Sequence, residues 1–232
     1  MAGALRLIGA DGCPGGWMVA LQFADGSTHL GRWETEQLGR AVRGTELQAA
    51  VLDIPIGLPV SGPRACDLAA RRLLGQPRGT SVFPAPLRPM LAATTYQEAQ
   101  AIRRSIDGKG CSRQAFGIQA KVAEIDRLVR ASGATRLYEG HPELVFRELA
   151  GAPDLPASKH SRAGRLSRWH LLRDHFPALQ QIDPERPSNG DSLDAYACLW
   201  TARRLVQGGA RWLPTGSDQL DPELKIRMRI WF

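Results

Sequence analysis

Five carboxylates in this sequence fall at the ends of segments that read as regular structure. Asp11 ends the apolar run LRLIGAD, Asp53 follows AAVL, and Glu139 ends TRLYE, while Asp191 and Asp194 lie three apart in DSLDAYACLW. Residues three apart on a helix share a face. If the strands ending at Asp11, Asp53 and Glu139 are parallel neighbours, all five acids meet outside the carboxyl ends of the strands, where ligands of open α/β sheets gather. Such a cluster repels itself unless a cation neutralises it. Hard oxygen ligands select Mg²⁺ or Mn²⁺, and a pair of such ions about 4 Å apart supports phosphodiester hydrolysis. Each acid also has an ordinary role open to it. Asp11 before Gly12 suits a turn, Asp53 a loop cap and Glu139 an exposed strand end. Asp191 suits a helix N-cap, and Asp194 in the first turn favours the helix dipole.

The elements that must position these acids are legible from pattern. Residues 4–11 read as a buried strand, and 16–24 and 28–35 continue it as a meander through the Asp25-Gly26 turn. A short helix over 36–43 precedes a buried strand at 49–54, which Pro55 and Pro59 stop. Residues 63–74 predict a helix with proline in its first turn and Gly75 beyond its end, and SVFPAPLRP a rigid loop. Helices are predicted at 95–106 and 113–131, a strand at 135–139, a helix from Pro142 to about Ala150, and helices near 162–175 and at 191–206. Residues 207–232 read as a tail packed across the body. A meander followed by alternating strands and helices predicts a mixed α/β sheet, the first three strands antiparallel and the later ones parallel, flanked by helices.

With 232 residues the chain predicts one large domain, or one with a substantial insertion. No apolar run is long enough to span a membrane, and the start lacks the pattern of a signal peptide. Cys13, Cys66, Cys111 and Cys198 form no CxxC pair, so free thiols and a cytoplasmic location are expected. The net charge of +7 is concentrated: residues 61–130 hold twelve Lys and Arg against five Asp and Glu. That surplus suits either a polyanion such as nucleic acid or a set of solvated helix faces.

Six blocks in order, ADGCPGGW, VLDIPIGLP, RACDLAARRLLG with SVFPAP, QAFGIQAKVAEID, EGHPELVFRELAG and DSLDAYACLWTARR, resemble the DUF429 family of predicted ribonuclease H-like nucleases over residues 7 to 206. The resemblance implies a single ribonuclease H-like domain over 1–232 with a helical insertion at about 60–132, and metal-dependent nuclease chemistry. An Asp in the first strand of that superfamily matches Asp11, and the D-x-x-D-A pattern of Holliday-junction resolvases of the RuvC type matches Asp191 to Ala195. Those resolvases carry Glu where this chain has Asp53, and Glu139 has no counterpart among their ligands. In the EGHPE block His141 suits orientation of water or contact with phosphate, and Glu143 support of a metal ligand. The ordinary alternatives are a helix cap and a dipole partner. Lys121 suits a phosphate contact or a solvated lysine. Cys13 lacks an evident base, and Trp17 reads as core.

The leading expectation is thus a Mg²⁺- or Mn²⁺-dependent nuclease whose metal ligands are Asp11, Asp53, Glu139 and Asp194. Asp191 completes the catalytic acids, and Lys121 and His141 contact the nucleic acid. A homodimer is open. Two alternatives stand beside it: an inactive nucleic-acid-binding or interaction module of the same fold, and an ATP-dependent phosphotransferase of actin or sugar-kinase type. The second lacks a duplicated domain and a second glycine-rich loop.

Overall fold

A computed structural model describes residues 3–133, 136–151, 157–186, 189–216 and 218–232. Its centre is a mixed sheet. β1 (Leu5–Cys13), β2 (Gly16–Phe23) and β3 (Thr28–Trp33) form the antiparallel meander, and β4 (Ala49–Asp53) and β5 (Leu137–Gly140) add to β1 in parallel. With β6 (Trp212–Leu213) and β7 (Ile230–Trp231) the sheet has seven strands in the order β3-β2-β1-β4-β5-β7-β6. The helices are α1 (Thr35–Arg43), α2 (Ala65–Leu74), α3 (Tyr96–Asp107), α4 (Arg113–Gly117), α5 (Gln119–Ser132), α6 (Pro142–Ala150), α7 (Arg162–Arg173) and α8 (Gly190–Val206). The single helix expected over 113–131 is two: α4 ends at Gly117, and α5 begins one residue beyond Ile118. Glycine carries the largest backbone entropy cost in a helix interior, so the break falls there. The tail expected at 207–232 supplies β6 and β7.

The chain forms two compact units. One comprises Met1–Asp53, Thr135–Arg211 and Trp231–Phe232, the other Ile54–Ala134 and Trp212–Ile230. In the first, α8 is the central packing element. Ten of its residues between Ser192 and Ala202 are buried, which is how a helix enclosed on several sides behaves. It approaches the sheet through a glycine: a Cβ on Gly9 would lie 2.1 Å from the Leu199 backbone nitrogen and 2.2 Å from the Ala195 carbonyl oxygen. Glycines around the first hairpin serve other ends. Gly15 has φ +77° for the β1–β2 turn, and Gly16 faces the Trp33 carbonyl, 2.5 Å from where its Cβ would be. Trp17 is fully buried and donates from its indole N–H to Thr35 Oγ1 at 3.0 Å, as core.

The second unit is built around a buried ion network. The Arg88 guanidinium lies between Asp126, at 2.9 Å, and Asp221. Asp221 also accepts from the Leu58 backbone N–H at 2.7 Å and from those of Glu223 and Leu224. Buried ions need such pairing. The basic surplus of residues 61–130 is partly consumed here: Arg64 and Arg88 are buried, Arg71 donates to the Val82 carbonyl, and Arg103 pairs with Asp107. Arg72, Arg104, Lys109, Arg113, Arg127 and Arg130 remain exposed. Among the described residues, no helix is long and apolar enough to cross a membrane.

Candidate metal centre

Register decides which acids meet. In the parallel pairing of β1 with β4, Asp11 is directly opposite Asp53. Opposite residues of neighbouring strands project to the same face, and successive residues to opposite faces. The face holding Asp11 also holds Gly9, and that glycine abuts α8 at Ala195 and Leu199. One residue before Ala195, Asp194 therefore reaches the two strand acids. One carboxylate oxygen from each of Asp11, Asp53 and Asp194 lies within 4.8 Å of the other two. Gly140 clears the same face at β5, since a Cβ there would stand 2.5 Å from Val51 and 3.5 Å from Cys198 Sγ.

Glu139 is outside this trio. Its register partner is Leu52, one residue before Asp53, so by strand alternation its side chain leaves β5 on the opposite face. It is buried there. Asp191 lies in the first turn of α8, whose N-cap is Asn189, and is half-buried at the edge of the cluster. Burial raises its carboxyl, Asp194 adds to this, and Lys159 and Arg32 oppose it.

His141 and Glu143 open α6. His141 occupies the N-cap position without a side-chain capping bond, and its buried Nδ1 has no hydrogen-bond partner among the described residues. It is one of the groups that lower the Asp53 carboxyl. Glu143 is buried and pairs with Arg168 of α7 at 2.6 Å, so it fastens α6 to α7. Lys121 lies on α5 in the other unit and pairs with Glu124 at 3.2 Å. None of the four cysteines is in a disulfide, and all are buried.

One site residue was not singled out from sequence. The Lys159 ammonium donates to Asp194 Oδ2 at 2.7 Å. It lies just before α7, in a stretch (ASKHS) without periodicity, among thirty basic residues. Its only sequence signal is that a lysine close before a helix can be held in place by that helix's cap.

Burial and mutual repulsion act together on the trio. Burial pushes the Asp11 carboxyl well above the usual carboxylate range, with Asp53 and Asp194 adding and Lys159 opposing. Burial likewise pushes Asp53 up to about 6, with His141 and Lys159 lowering it and Asp194 and Glu143 raising it. Lys159 is pushed up, foremost by Asp194. Acids held above their unfolded values stabilise the fold below pH 4 and lose that contribution as pH rises through the folded value. In EDTA the protein is therefore expected to lose stability between pH 4 and 7, with Asp53 alone contributing on the order of 3 kcal/mol. Urea denaturation of the wild type and Asp53→Asn across that range checks this. The loss should be smaller in the variant, and equal slopes would contradict the assignment.

An α/β sheet with three carboxylates from two parallel strands and one buried helix defines a class of candidate metal proteins. The chain belongs to the DUF429 family, a protein family of unknown function, whose model matches residues 9–219. No curated protein and no solved structure gives a significant match.

Proposed function

We propose that this chain is a divalent-metal-dependent nuclease of ribonuclease H-like fold, hydrolysing phosphodiester bonds of nucleic acid. The observation that carries the reading is the convergence of Asp11, Asp53 and Asp194, from three separate rigid elements, to within 4.8 Å. The donor set fits the ion: three hard carboxylates suit Mg²⁺ or Mn²⁺. Asp11, Asp53 and Asp194 would hold the ion. When bound, it would supply Lewis-acid polarisation of the phosphodiester and a nucleophile at neutral pH.

The chain's own residues provide the frame. Gly9 and Gly140 let α8 and the sheet close on the acids, which fixes the trio before any ligand arrives. Asp191 borders the cluster at the start of α8, which supports a role in orienting a group held by the trio. His141 acts on Asp53 and keeps a buried ring nitrogen with no partner among the described residues, which supports reading it as a group that orients water or phosphate. The exposed cations of residues 61–130 support attraction of a polyanion.

A second reading, an inactive binding module, is favoured by one observation: Lys159 already neutralises Asp194. Incubation with single-stranded, duplex, hybrid and junction substrates in Mn²⁺ separates the two. The nuclease reading expects cleavage of at least one class, abolished by EDTA. Binding without cleavage of any of them, with Mn²⁺ bound, would favour the module.

A further inference from the structure

Two buried or half-buried cation–carboxylate pairs flank the site, and they differ in a telling way. Arg168 and Glu143 are sealed at both ends, with side-chain exposures of 2% and 6%. Lys159 and Asp194 are sealed at one end only: Asp194 is 2% exposed and Lys159 38%. A pair that served packing alone would resemble the first. In the second, a compact ammonium on a flexible four-carbon stem reaches from solvent into the acid cluster.

The backbone beneath Lys159 is anchored independently of that contact. Ser161 caps α7 by accepting from the Gly164 N–H at 3.0 Å, and the Ser158 carbonyl approaches Gly164 so closely that a Cβ there would stand 1.9 Å from it. Arg168 donates to the Ala157 carbonyl at 3.2 Å and to the Gly164 carbonyl at 3.0 Å. The Arg165 guanidinium holds the His160 carbonyl at 2.9 Å. With the loop fixed, the ammonium can leave Asp194 by rotation of its own side chain. The Lys159 ammonium is bonded to one acid of the trio itself, so a cation entering the trio meets a positive charge already held there.

We infer that Lys159 is an internal counter-cation that competes with a divalent metal ion for Asp194 and so sets the metal affinity of the site. The inference rests on the metal reading of the trio. Without metal the lysine relieves repulsion among acids that cannot separate. With metal it is the charge that the ion must displace.

Mn²⁺ titration followed by electron paramagnetic resonance, on the wild type, Lys159→Met, Lys159→Arg and Asp194→Asn, tests this. Lys159→Met keeps the length of the side chain and removes its charge, so Mn²⁺ should bind at least about tenfold more tightly. Lys159→Arg should stay near the wild type, and Asp194→Asn should bind more weakly. Thermal unfolding reports folding: Lys159→Met should melt below the wild type in EDTA and recover in saturating Mn²⁺. Binding by Lys159→Met alone, with none by the wild type, would support the inference in its strongest form. Unchanged or weaker binding by Lys159→Met, with the wild type binding, overturns the inference and leaves the metal reading intact. No binding by either protein overturns both.

Discussion

Replacing Asp11 with Asn is expected to stabilise the metal-free protein at pH 7.5 while weakening Mn²⁺ binding at least about 100-fold. The two effects have one cause. Asp11 is buried, 8% exposed, opposite Asp53 and close to Asp194, and burial together with those charges makes its ionised form unfavourable. A neutral isostere removes that cost, a gain of about 1–3 kcal/mol. It also removes a hard anionic ligand. Loss of a group that merely supports a ligand costs 10–100-fold in affinity, so loss of a ligand costs at least as much. Calorimetric melting in EDTA and in Mn²⁺ reads both effects. A turn-forming Asp11 makes the opposite prediction, because Asn at a turn is close to neutral and no metal effect follows. Divalent-dependent cleavage, where the wild type shows it, should vanish with the ligand.

Gly9→Ala is expected to damage the fold more than any other glycine change on the sheet. The new Cβ would meet two backbone atoms of α8 at 2.1 and 2.2 Å, and backbone cannot rotate out of the way as a side chain can. The helix must retreat. Overpacking typically costs 1–3 kcal/mol, and with α8 buried against β1 and β4 the cost here should reach about 3 kcal/mol or more. Retreat of α8 also carries Asp194 away from Asp11 and Asp53, so Mn²⁺ binding should fail in whatever fraction folds. Gly31→Ala is the control: nothing lies within 4 Å of its Cβ and its φ is ordinary, so stability should stay within about 0.5 kcal/mol. Urea midpoints of the two variants decide the matter. Similar midpoints would mean that α8 does not depend on the gap at Gly9.

These expectations show where sequence carries the site and where it stops. The strands ending at Asp11 and Asp53 are legible because an apolar run closing on an acid marks both the element and its edge. The helix carrying Asp191 and Asp194 is legible for a similar reason: DSLDA opens a long apolar stretch. Face is another matter. Glu139 ends its strand as Asp53 does, yet the two pairings Asp11–Asp53 and Leu52–Glu139 differ by one residue in parity. Strand alternation converts that single step into opposite faces. Parity between neighbouring strands is set by their register, which no segment reveals in isolation.

Gly9 and Lys159 escaped for complementary reasons. A glycine inside a strand advertises a close approach only when its partner is known, and here the partner is a helix almost two hundred residues away. The glycines after Asp11 are the conspicuous ones, but Gly15 and Gly16 serve the turn and the contact with Trp33. Lys159 is one cation in a short irregular stretch, and its meaning comes wholly from Asp194, thirty-five residues on. The buried network of Arg88, Asp126 and Asp221 is a third case. Its members lie in different segments and would each pass for ordinary surface charge.

The most direct measurement is a crystal of the wild-type chain soaked in Mn²⁺ and read for anomalous scattering. The account predicts a Mn²⁺ ion coordinated by Asp11, Asp53 and Asp194, with Lys159 withdrawn from Asp194. A crystal saturated with Mn²⁺ that shows no ion on these three acids, with Lys159 still bonded to Asp194, would contradict it.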